Sequence, residues 1–540
     1  MKPRLLLPLG MILTVSCQND KGGEDSGAAA EDPWADRTLY GFANIDDDDR
    51  DGRVDYGRDA EGEDDRFDLV LPDSMFVDAP GGGTLQLQLR GDVDAVRVLD
   101  DGMVLLDADE ETTGLDIPAD GLALAVEFGS MAAHAWLDVE LQDAGGEVIE
   151  SMRIGLQSAP LILNHHLQPV ERVFAMSTGD SGGNAAFTNG FADALDDRFE
   201  TFRLSRYGWD VWIQDEIELA TLTAPDGRRM DVVIDSIRNR AGQFLGALPE
   251  EEFEAPGFAV ETWGRGRASS QDSFGNLEVS PPVTVDGVLY PFGRAYHGRW
   301  FRDEMHEEMV SMLEAQRVQD PFEIDVGFLC VGHVDEFTTF VPDPSSDKGF
   351  RFVVADVALA YAFLEAQRGS TRLPRYASDH GYGTIGDLVD DRALRAMNEE
   401  IQEDYIDPAV ETFKAELGLT EADITRIPAL FEEVRGCGGT TAGLIPGTAN
   451  MTVAPLDSGE THLFLPDPFL RPSGDGVEDD PFVAEIERLL PGGLAFHWLD
   501  DWDYYHTMLG EVHCGSNAVR TPIDDWWVAA RHLLADGEEE

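Results

Sequence analysis

The chain has 540 residues and is 43% hydrophobic, so it can bury a sizeable core and is too apolar to be disordered as a whole. It carries 39 Lys and Arg against 105 Asp and Glu, which gives a formal net charge of -66 at pH 7. A field of that sign repels nucleic acid, so we exclude nucleic acid as a partner, and it favours cations, including metal ions.

The first 17 residues have the features of a targeting segment. A basic start precedes an apolar run over 5–15, which is too short to cross a bilayer comfortably. The run ends at Val15-Ser16-Cys17-Gln18, which resembles a bacterial lipoprotein signal, in which the cysteine becomes the lipidated first residue. We predict lipidation of Cys17, a lipid anchor to a bacterial membrane and a secreted or cell-envelope location. Ordinary secretion is the alternative.

Residues 18–37 are rich in Gly, Ala, Asp and Glu, a composition that predicts a flexible tether. In the acidic run that follows, Asp47, Asp49 and Asp51 are spaced like the first ligands of an EF-hand loop. The twelfth position would be Arg58 instead of the bidentate acid that this loop needs, which disfavours an EF-hand. The three aspartates remain candidate calcium ligands, with a solvated turn as the alternative.

Apolar and polar residues alternate through residues 38–158. The runs at 85–89, 122–128 and 137–141 each place leucines and valines two residues apart, and Gly, Asp and Pro turns separate them. Such period-two runs are typical of half-buried strands. We therefore predict a small β-sandwich domain over 38–158.

After residue 159 the pattern changes to a mixture of strands and helices, which predicts an α/β domain over 159–540. Short apolar runs at 231–234 and 350–355 predict buried strands, whereas residues 301–318 predict an amphipathic helix. If Cys17 is lipidated, three cysteines remain outside the cytoplasm, and an odd count leaves one thiol unpaired. A bond between Cys330 and Cys437 is an open alternative, and an unpaired Cys514 is consistent with a reactive thiol.

Three distant segments carry candidate chemistry: WIQDEIE at 212–218, GHVDE at 332–336 and GEVHCGSN at 510–517. Together they offer the Cys514 thiol, the His333 imidazole and the carboxylates of Asp215 and Asp335. This set suits attack on a planar cation, because carboxylates bind the cation, a thiolate adds to it and a histidine transfers protons. Taken singly, each segment also fits a structural role as a buried histidine, a core cysteine or a solvated acidic face.

The ordered motifs resemble those of the peptidyl-arginine deiminases, calcium-dependent enzymes that convert arginine in proteins to citrulline. The resemblance covers most of residues 160–530. Its motifs are WIQDEIE at 212–218, DS at 235–236 with RNR at 238–240, DSFGNLEVSPPV at 272–283, VGHVDEF at 331–337, ELGLTE at 416–421 and GEVHCGSN at 510–517. It implies a five-bladed α/β propeller, the pentein fold, over 159–540, preceded by an immunoglobulin-like β-sandwich at 38–158.

The resemblance also implies a role for each matched residue of the active site. Asp215 and Asp335 match the carboxylates that bind the guanidinium, and Cys514 matches the nucleophile that forms a covalent thiouronium intermediate. His333 matches the proton carrier. The substrate contacts are matched by Trp212, against the aliphatic stem of the arginine, and by Arg240, on the peptide backbone.

Two calcium sites carry over from the same family, and all of their ligands are oxygens, as a hard cation requires. One would use the side chains of Gln214, Glu218 and Glu278 with the backbone oxygens of Phe274 and Leu277. The other would use Glu216, Asp235, Ser236 and Asn239. We expect 214–218 to be a strand, which would put Asp215 on the face opposite to the metal ligands. The family's immunoglobulin-like domain also binds calcium through an acidic segment like the one that contains Asp47, Asp49 and Asp51.

The leading function predicted from the sequence is calcium-dependent hydrolysis of peptidyl-arginine in proteins or peptides. One alternative is a deiminase of a free guanidine, such as arginine or agmatine, with the same fold. Another is an inactive calcium-binding surface protein. The calcium motifs and Arg240 favour the peptidyl branch, and the intact set of Asp215, His333, Asp335 and Cys514 disfavours an inactive protein.

Overall fold

The structure is a computed structural model and describes residues 38–45, 56, 66–71, 76, 82–117, 122–179, 182–238, 245–301, 303–472, 474–523 and 525–534. The signal segment with Cys17, the tether, the three aspartates of the acidic run, Asn239 and Arg240 lie outside the described residues. Among the described residues we find no helix with the length and hydropathy of a transmembrane span.

The described residues between 38 and 158 form nine strands in two sheets. The strands are β1 (Thr38–Gly41), β2 (Phe67–Leu71), β3 (Thr84–Gly91), β4 (Val96–Asp100), β5 (Met103–Leu106), β6 (Thr112–Asp116), β7 (Leu122–Phe128), β8 (His134–Gln142) and β9 (Val148–Ser158). The sheet orders are β1-β9-β8-β3-β6 and β2-β7-β4-β5. Leu85, Leu87 and Leu89 of β3 are buried and lie opposite buried residues of β8, so the alternation predicted these strands correctly.

The described chain after residue 158 alternates short strands with helices, as predicted. Its strands are β10 (Ile162–Leu163), β11 (Val170–Ser177), β12 (Phe199–Arg203), β13 (Ile217–Thr223), β14 (Arg229–Asp235), β15 (Phe258–Glu261), β16 (Leu277–Val279), β17 (Val283–Val285), β18 (Val288–Tyr290), β19 (Ala295–Arg299), β20 (Phe322–Asp325), β21 (Thr338–Pro342), β22 (Phe350–Asp356), β23 (Ile424–Pro428), β24 (Phe431–Glu433), β25 (Thr441–Gly443), β26 (Thr452–Pro455), β27 (Thr461–Pro466), β28 (Ala495–Leu499) and β29 (Ser516–Arg520).

The helices of the same region pack beside these strands. They are α1 (Ala185–Leu195), α2 (Ile213–Glu216), α3 (Leu248–Glu252), α4 (Glu307–Gln316), α5 (Val357–Ala366), α6 (Pro374–Asp379), α7 (Ile385–Asp390), α8 (Arg392–Ile401), α9 (Asp407–Leu417), α10 (Pro481–Leu489), α11 (Trp526–Ala529) and α12 (Arg531–Leu534). Helix α4 confirms the predicted amphipathic helix, with Met309, Met312 and Leu313 buried, but it begins at Glu307 instead of near residue 301.

Besides two hairpins, β17-β18 and β24-β25, the strands described after residue 158 form five sheets that share one pairing pattern. In each sheet a middle strand pairs antiparallel with one neighbour and parallel with the other; the middle strands are β11, β14, β19, β22 and β27. A parallel pair needs a crossover connection, and one or more helices lie in each of these five connections. The last strand, β29, pairs antiparallel with β11. This pairing joins the last strand of the region after residue 158 to one of its first strands.

A disulfide links Cys330 to Cys437, which settles the pairing that the sequence left open. Of the cysteines in the described part of the chain, Cys514 is free and buried. The bond ties the segment that leads into His333 to the loop between β24 and β25, and Cys330 N also donates to the backbone oxygen of Thr441.

Candidate active site

Three of the predicted site residues converge on one point above Gly275. A Cβ at Gly275 would lie 2.7 Å from His333 Nδ1, 3.2 Å from Asp335 Oδ2 and 3.3 Å from Asp215 Oδ1. A side chain at this position would therefore fill the space between the three polar groups, and this is a physical reason for glycine there. All three side chains are buried, although they come from segments more than a hundred residues apart.

Asp215 lies on α2, a single helical turn that leads into β13, so the predicted strand over 214–218 is wrong before residue 217. Asp215 and the predicted metal ligand Gln214 nevertheless point to different groups. Asp215 Oδ1 lies 3.5 Å from His333 Nδ1, whereas Gln214 Nε2 donates to Glu218 Oε2 at 2.8 Å. Consecutive side chains in the helical turn α2, such as Gln214 and Asp215, point in different directions, as they would in a strand.

Asp335 and His333 are held by a 3-10 turn over Val334–Glu336. The side chain of Glu336 accepts hydrogen bonds from the backbone N–H groups of Gly332 and His333, at 2.9 and 2.8 Å. His333 Nε2 donates to the backbone oxygen of Ser270 at 2.9 Å. Because a carbonyl can only accept, this contact puts a proton on Nε2 and leaves Nδ1 facing Asp215 and the point above Gly275.

Cys514 joins the cluster through Asp335. Its Sγ donates to Asp335 Oδ2 at 3.3 Å, and the same oxygen accepts from His513 Nδ1 at 2.9 Å. The other carboxylate oxygen, Asp335 Oδ1, is buried and accepts no hydrogen bond from any residue that the structure describes. Since a buried carboxylate oxygen without a donor is costly, a cationic donor fits this position well.

Burial raises the pKa of the Cys514 thiol well above its ordinary value, and the negative charges of Asp335 and Asp215 raise it further. The thiol is therefore protonated at neutral pH while the site holds only protein groups. A guanidinium between the two carboxylates would oppose both charges and lower that pKa. The geometry thus couples formation of the thiolate to binding of a cation.

Trp212 forms one wall beside this cluster. A Cβ at Gly510 would lie 2.4 Å from Cζ3 of Trp212, so the backbone ahead of Cys514 passes directly against the indole. The ring also meets Tyr505 edge to face, with centroids 5.7 Å apart. A flat, half-buried indole held on two sides can pack along an aliphatic stem, as the sequence predicted for the arginine side chain.

Asn450, His513, Ser270 and Arg238 belong to the site but were not predicted. Asn450 Nδ2 donates to Cys514 Sγ at 3.1 Å, and its Oδ1 accepts from the backbone N–H groups of His513 and Cys514. Arg238 Nη1 donates to Ser273 Oγ at 2.6 Å and lies 3.4 Å from Asp215 Oδ2. Adjacency to Cys514 was a signal for His513, but no local pattern marks Asn450.

The described ligands of the first predicted calcium site lie together. Gln214 Nε2 donates to Glu218 Oε2 and, at 3.1 Å, to the backbone oxygen of Phe274, while Leu277 and Glu278 follow in β16. Burial and the nearby charge of Glu278 raise the pKa of Glu218 to about 8. Glu278 Oε1 is buried and accepts no hydrogen bond from the described residues. Crowded, underpaired carboxylate oxygens fit a hard cation.

The described ligands of the second predicted site also meet, at the start of the β13–β14 pair. The backbone N–H of Ser236 donates to the backbone oxygen of Glu216 at 2.9 Å, and Asp235 lies opposite Ile217. Burial raises the pKa of Asp235 to about 7, with Glu250 adding to the effect. Asp235 Oδ1 is buried and accepts no hydrogen bond within the described ranges. These oxygens therefore fit calcium as well, with Asn239 outside the described residues.

We expect Asn450→Ala to lower turnover strongly, because it removes the groups that hold the Cys514 backbone and donate to its sulfur. The buried donors and acceptors left behind should also cost about 1–3 kcal/mol of unfolding free energy. Asn398→Ala is a matched control, since Asn398 is equally buried but its side chain bonds the backbone of Leu394 and Phe431 instead of a residue of the site.

Thermal unfolding and citrulline formation per folded molecule should be measured on both variants. Both should lose stability, but only Asn450→Ala should lose activity per folded molecule. An equal loss of activity per folded molecule in the two variants would show that Asn450 contributes to stability and not to the function of the site.

Comparison with known proteins agrees with these features. A family model for protein-arginine deiminase (PAD) matches residues 148–528. The Homo sapiens protein-arginine deiminase type-4 is 33% identical over 404 residues, which are 72% of this chain and 58% of that protein. The Homo sapiens type-3 protein is 38% identical over 334 residues, which are 59% of this chain and 48% of that protein. The chain thus spans about half the length of the curated relatives that it matches.

Proposed function

The chain belongs to the protein-arginine deiminase family, and from this membership we propose that it hydrolyses peptidyl-arginine to peptidyl-citrulline and ammonia. The observation that carries the proposal is the convergence of Asp215, His333 and Asp335 above Gly275. Cys514 is hydrogen-bonded to Asp335 in the same cluster. Two buried carboxylates fix the plane and the charge of a guanidinium, and the thiol lies beside one of them.

In the proposed reaction, the Cys514 thiolate attacks the central carbon of the guanidinium, and a carbon–sulfur bond forms. A carbon–nitrogen bond then breaks, and ammonia leaves with a proton from His333 Nδ1, which gives a covalent thiouronium intermediate. Water attacks the same carbon and passes a proton to His333, and the carbon–sulfur bond breaks to release a neutral ureido group and restore the thiol. The proton that His333 Nδ1 gives to ammonia is the one it first takes from the Cys514 thiol, which produces the thiolate. In the second step one proton of the attacking water returns to the sulfur, and the other leaves His333 for the solvent, where it converts ammonia to ammonium, so atoms and charge balance.

We propose that turnover depends on calcium, bound by Gln214, Glu218, Glu278 and backbone oxygens of Phe274 and Leu277, and by Glu216, Asp235, Ser236 and Asn239. Bound calcium would neutralise these acids. Gln214 and Glu216 lie in α2, the turn that carries Asp215, and Glu218 follows it in β13. Relief of repulsion among them would therefore stabilise the position of the carboxylate that holds the substrate.

For the architecture, we propose a five-bladed propeller over 159–540 and an immunoglobulin-like sandwich over 38–158. Five sheets with the same mixed pairing, and the return of β29 to β11, support the propeller. Two sheets with antiparallel pairing apart from β1-β9 support the sandwich. Candidate calcium ligation by Asp47, Asp49 and Asp51 in that domain rests on the sequence.

We also propose that the protein works outside the cytoplasm, as a secreted or lipid-anchored protein. The lipoprotein-like signal that ends at Cys17 supports this location. The disulfide between Cys330 and Cys437 also supports it, because structural disulfides persist in oxidising compartments.

The proposed substrate is tested with an arginine that is acylated on its amine and amidated on its carboxylate. In the presence of calcium, kcat/KM for this blocked arginine should exceed that for free arginine, because a free amino acid would bring two further charges to the site. Arg240→Ala should weaken binding of the blocked substrate by roughly 1.5–3 kcal/mol, a cost typical of losing a hydrogen bond to a charged group. It should weaken binding of free arginine much less.

Arg395→Ala is the control for this comparison, since it removes a surface guanidinium that pairs with Glu365 at 2.6 Å. It should change neither kcat/KM. Equal or faster turnover of free arginine by the wild type would place the protein among the free-guanidine deiminases instead.

A further inference from the structure

A second cluster of ligating side chains lies next to the active site, in a cavity that Gln214 and Glu218 also line. His166, in the loop between β10 and β11, places Nε2 3.0 Å from Glu278 Oε2. His513 places Nδ1 3.5 Å from the other oxygen of Glu278. One ligand atom from each residue can be chosen so that all three lie within 4.8 Å of one another, and all three residues are buried. Their side chains line a cavity of about 20 Å³, room for one ion or water.

The chemistry of this donor set differs from that of the calcium sites. Two imidazole nitrogens and one carboxylate oxygen suit zinc and related transition cations, whereas calcium takes oxygen ligands. Nitrogen and oxygen ligands about 2.0–2.1 Å from a tetrahedral ion lie about 3.3 Å apart. Small side-chain rotations would therefore close His166, Glu278 and His513 around one ion.

The groups around the cluster also favour such a site. His166 Nδ1 is 3.1 Å from Thr339 Oγ1, which orients the ring with Nε2 towards Glu278, as outer partners orient metal-binding histidines. Arg520 lines the same cavity, but its guanidinium donates to the backbone oxygens of His166, Gln168 and Val453. Glu278 Oε1 accepts no hydrogen bond from the described chain although it is buried. One carboxylate oxygen thus remains available for a cation.

We propose that His166, Glu278 and His513 bind a divalent transition cation of the zinc class, in competition with calcium for Glu278. The competition follows because Glu278 is also a ligand in the proposed calcium site. His513 Nδ1 now donates to Asp335 Oδ2, which also accepts from Cys514, so an ion on this nitrogen would remove that contact. Resting on the proposed function, this displacement makes the bound transition ion an inhibitor of deimination.

The test uses the full chain, stripped of metal and titrated with Zn²⁺ against a zinc-binding dye, with Co²⁺ as a spectroscopic probe of nitrogen ligation. We expect one tight site in the wild type. Loss of even an outer partner of a ligand costs about 10–100-fold in metal affinity, so loss of the His166 ligand in His166→Gln should weaken zinc binding at least about 100-fold. Unchanged affinity in this variant would overturn the proposal.

His462→Gln is the matched control, because His462 Nδ1 lies 2.8 Å from His497 Nε2 and these residues form a rival imidazole pair. It should keep the tight site and the Co²⁺ spectrum. Loss of the site in His462→Gln, with retention in His166→Gln, would assign zinc to that pair and overturn the proposal.

A third measurement needs no variant and therefore no assumption about folding. Added calcium should lower the apparent zinc affinity of the wild type, because both ions need Glu278. Zinc affinity that stays constant while calcium rises through saturation would contradict a shared ligand. None of these readouts requires turnover, so failure of the zinc site is distinguishable from failure of the proposed deiminase activity.

Discussion

Replacement of Cys514 by serine should abolish citrulline formation while the protein stays folded. The hydroxyl is far less acidic than the thiol, and Cys514 Sγ contacts Asp335 and Asn450 instead of a dedicated base. Loss of a nucleophile in an enzyme with a covalent intermediate typically costs several orders of magnitude, so turnover should fall by at least about 10⁴-fold. Citrulline release and thermal unfolding of the purified variant measure the two effects.

The double variant Cys330→Ser with Cys437→Ser is the control, because it removes the other two described cysteine sulfurs and leaves Cys514 in place. It should lose stability by about 2–5 kcal/mol, as expected for a native disulfide, but its folded fraction should still form citrulline. Near wild-type turnover by folded Cys514→Ser would refute the assignment of the nucleophile.

Removal of calcium should stop turnover, and restoring it should recover turnover. The predicted ligands include the crowded acids Glu218 and Glu278 and, in the second site, Asp235, which lies opposite Ile217 directly after α2. Without a cation, these groups repel one another or hold protons, and either state disturbs the turn that carries Asp215. Turnover measured against free calcium should therefore fall to background under chelation.

Glu278→Ala should mimic partial chelation by raising the calcium concentration needed for half-maximal turnover. Glu127→Gln is the matched control: Glu127 is a fully buried glutamate that pairs with Arg97 at 2.8 Å, in the sheets before residue 158. This variant should lose stability and keep the wild-type calcium requirement. Full activity after exhaustive chelation, with metal analysis confirming removal, would refute calcium dependence.

Much of the fold followed from the sequence because strand periodicity is a local property. Leu85, Leu87 and Leu89 alternate in the sequence and are buried together in β3. The turn Ile213–Glu216 was missed because four residues are too few to distinguish a 3.6-residue period from a strand. The repeated sheet pattern could be expected only from the family resemblance, which implies five blades, because backbone pairing defines the repeat and the repeats share no evident side-chain pattern.

The sequence predicted those site residues that lie within recognisable motifs. Asp215, His333 and Asp335 do converge, and Cys514 lies with Asp335. Asn450 was missed because its importance comes from contacts with residues more than sixty positions away, and a buried asparagine has no signature of its own. His166 was missed for the same reason, since only the fold brings it to Glu278.

The most direct test of the central claim is mass spectrometry of a peptide with one arginine, blocked at both ends, incubated with the protein and calcium in heavy-oxygen water. The proposed reaction predicts citrulline that carries the heavy oxygen on its ureido group, with an equal amount of ammonia, and no product under chelation or with Cys514→Ser. An unchanged peptide with folded, calcium-loaded wild type would contradict it, as would release of urea with formation of ornithine.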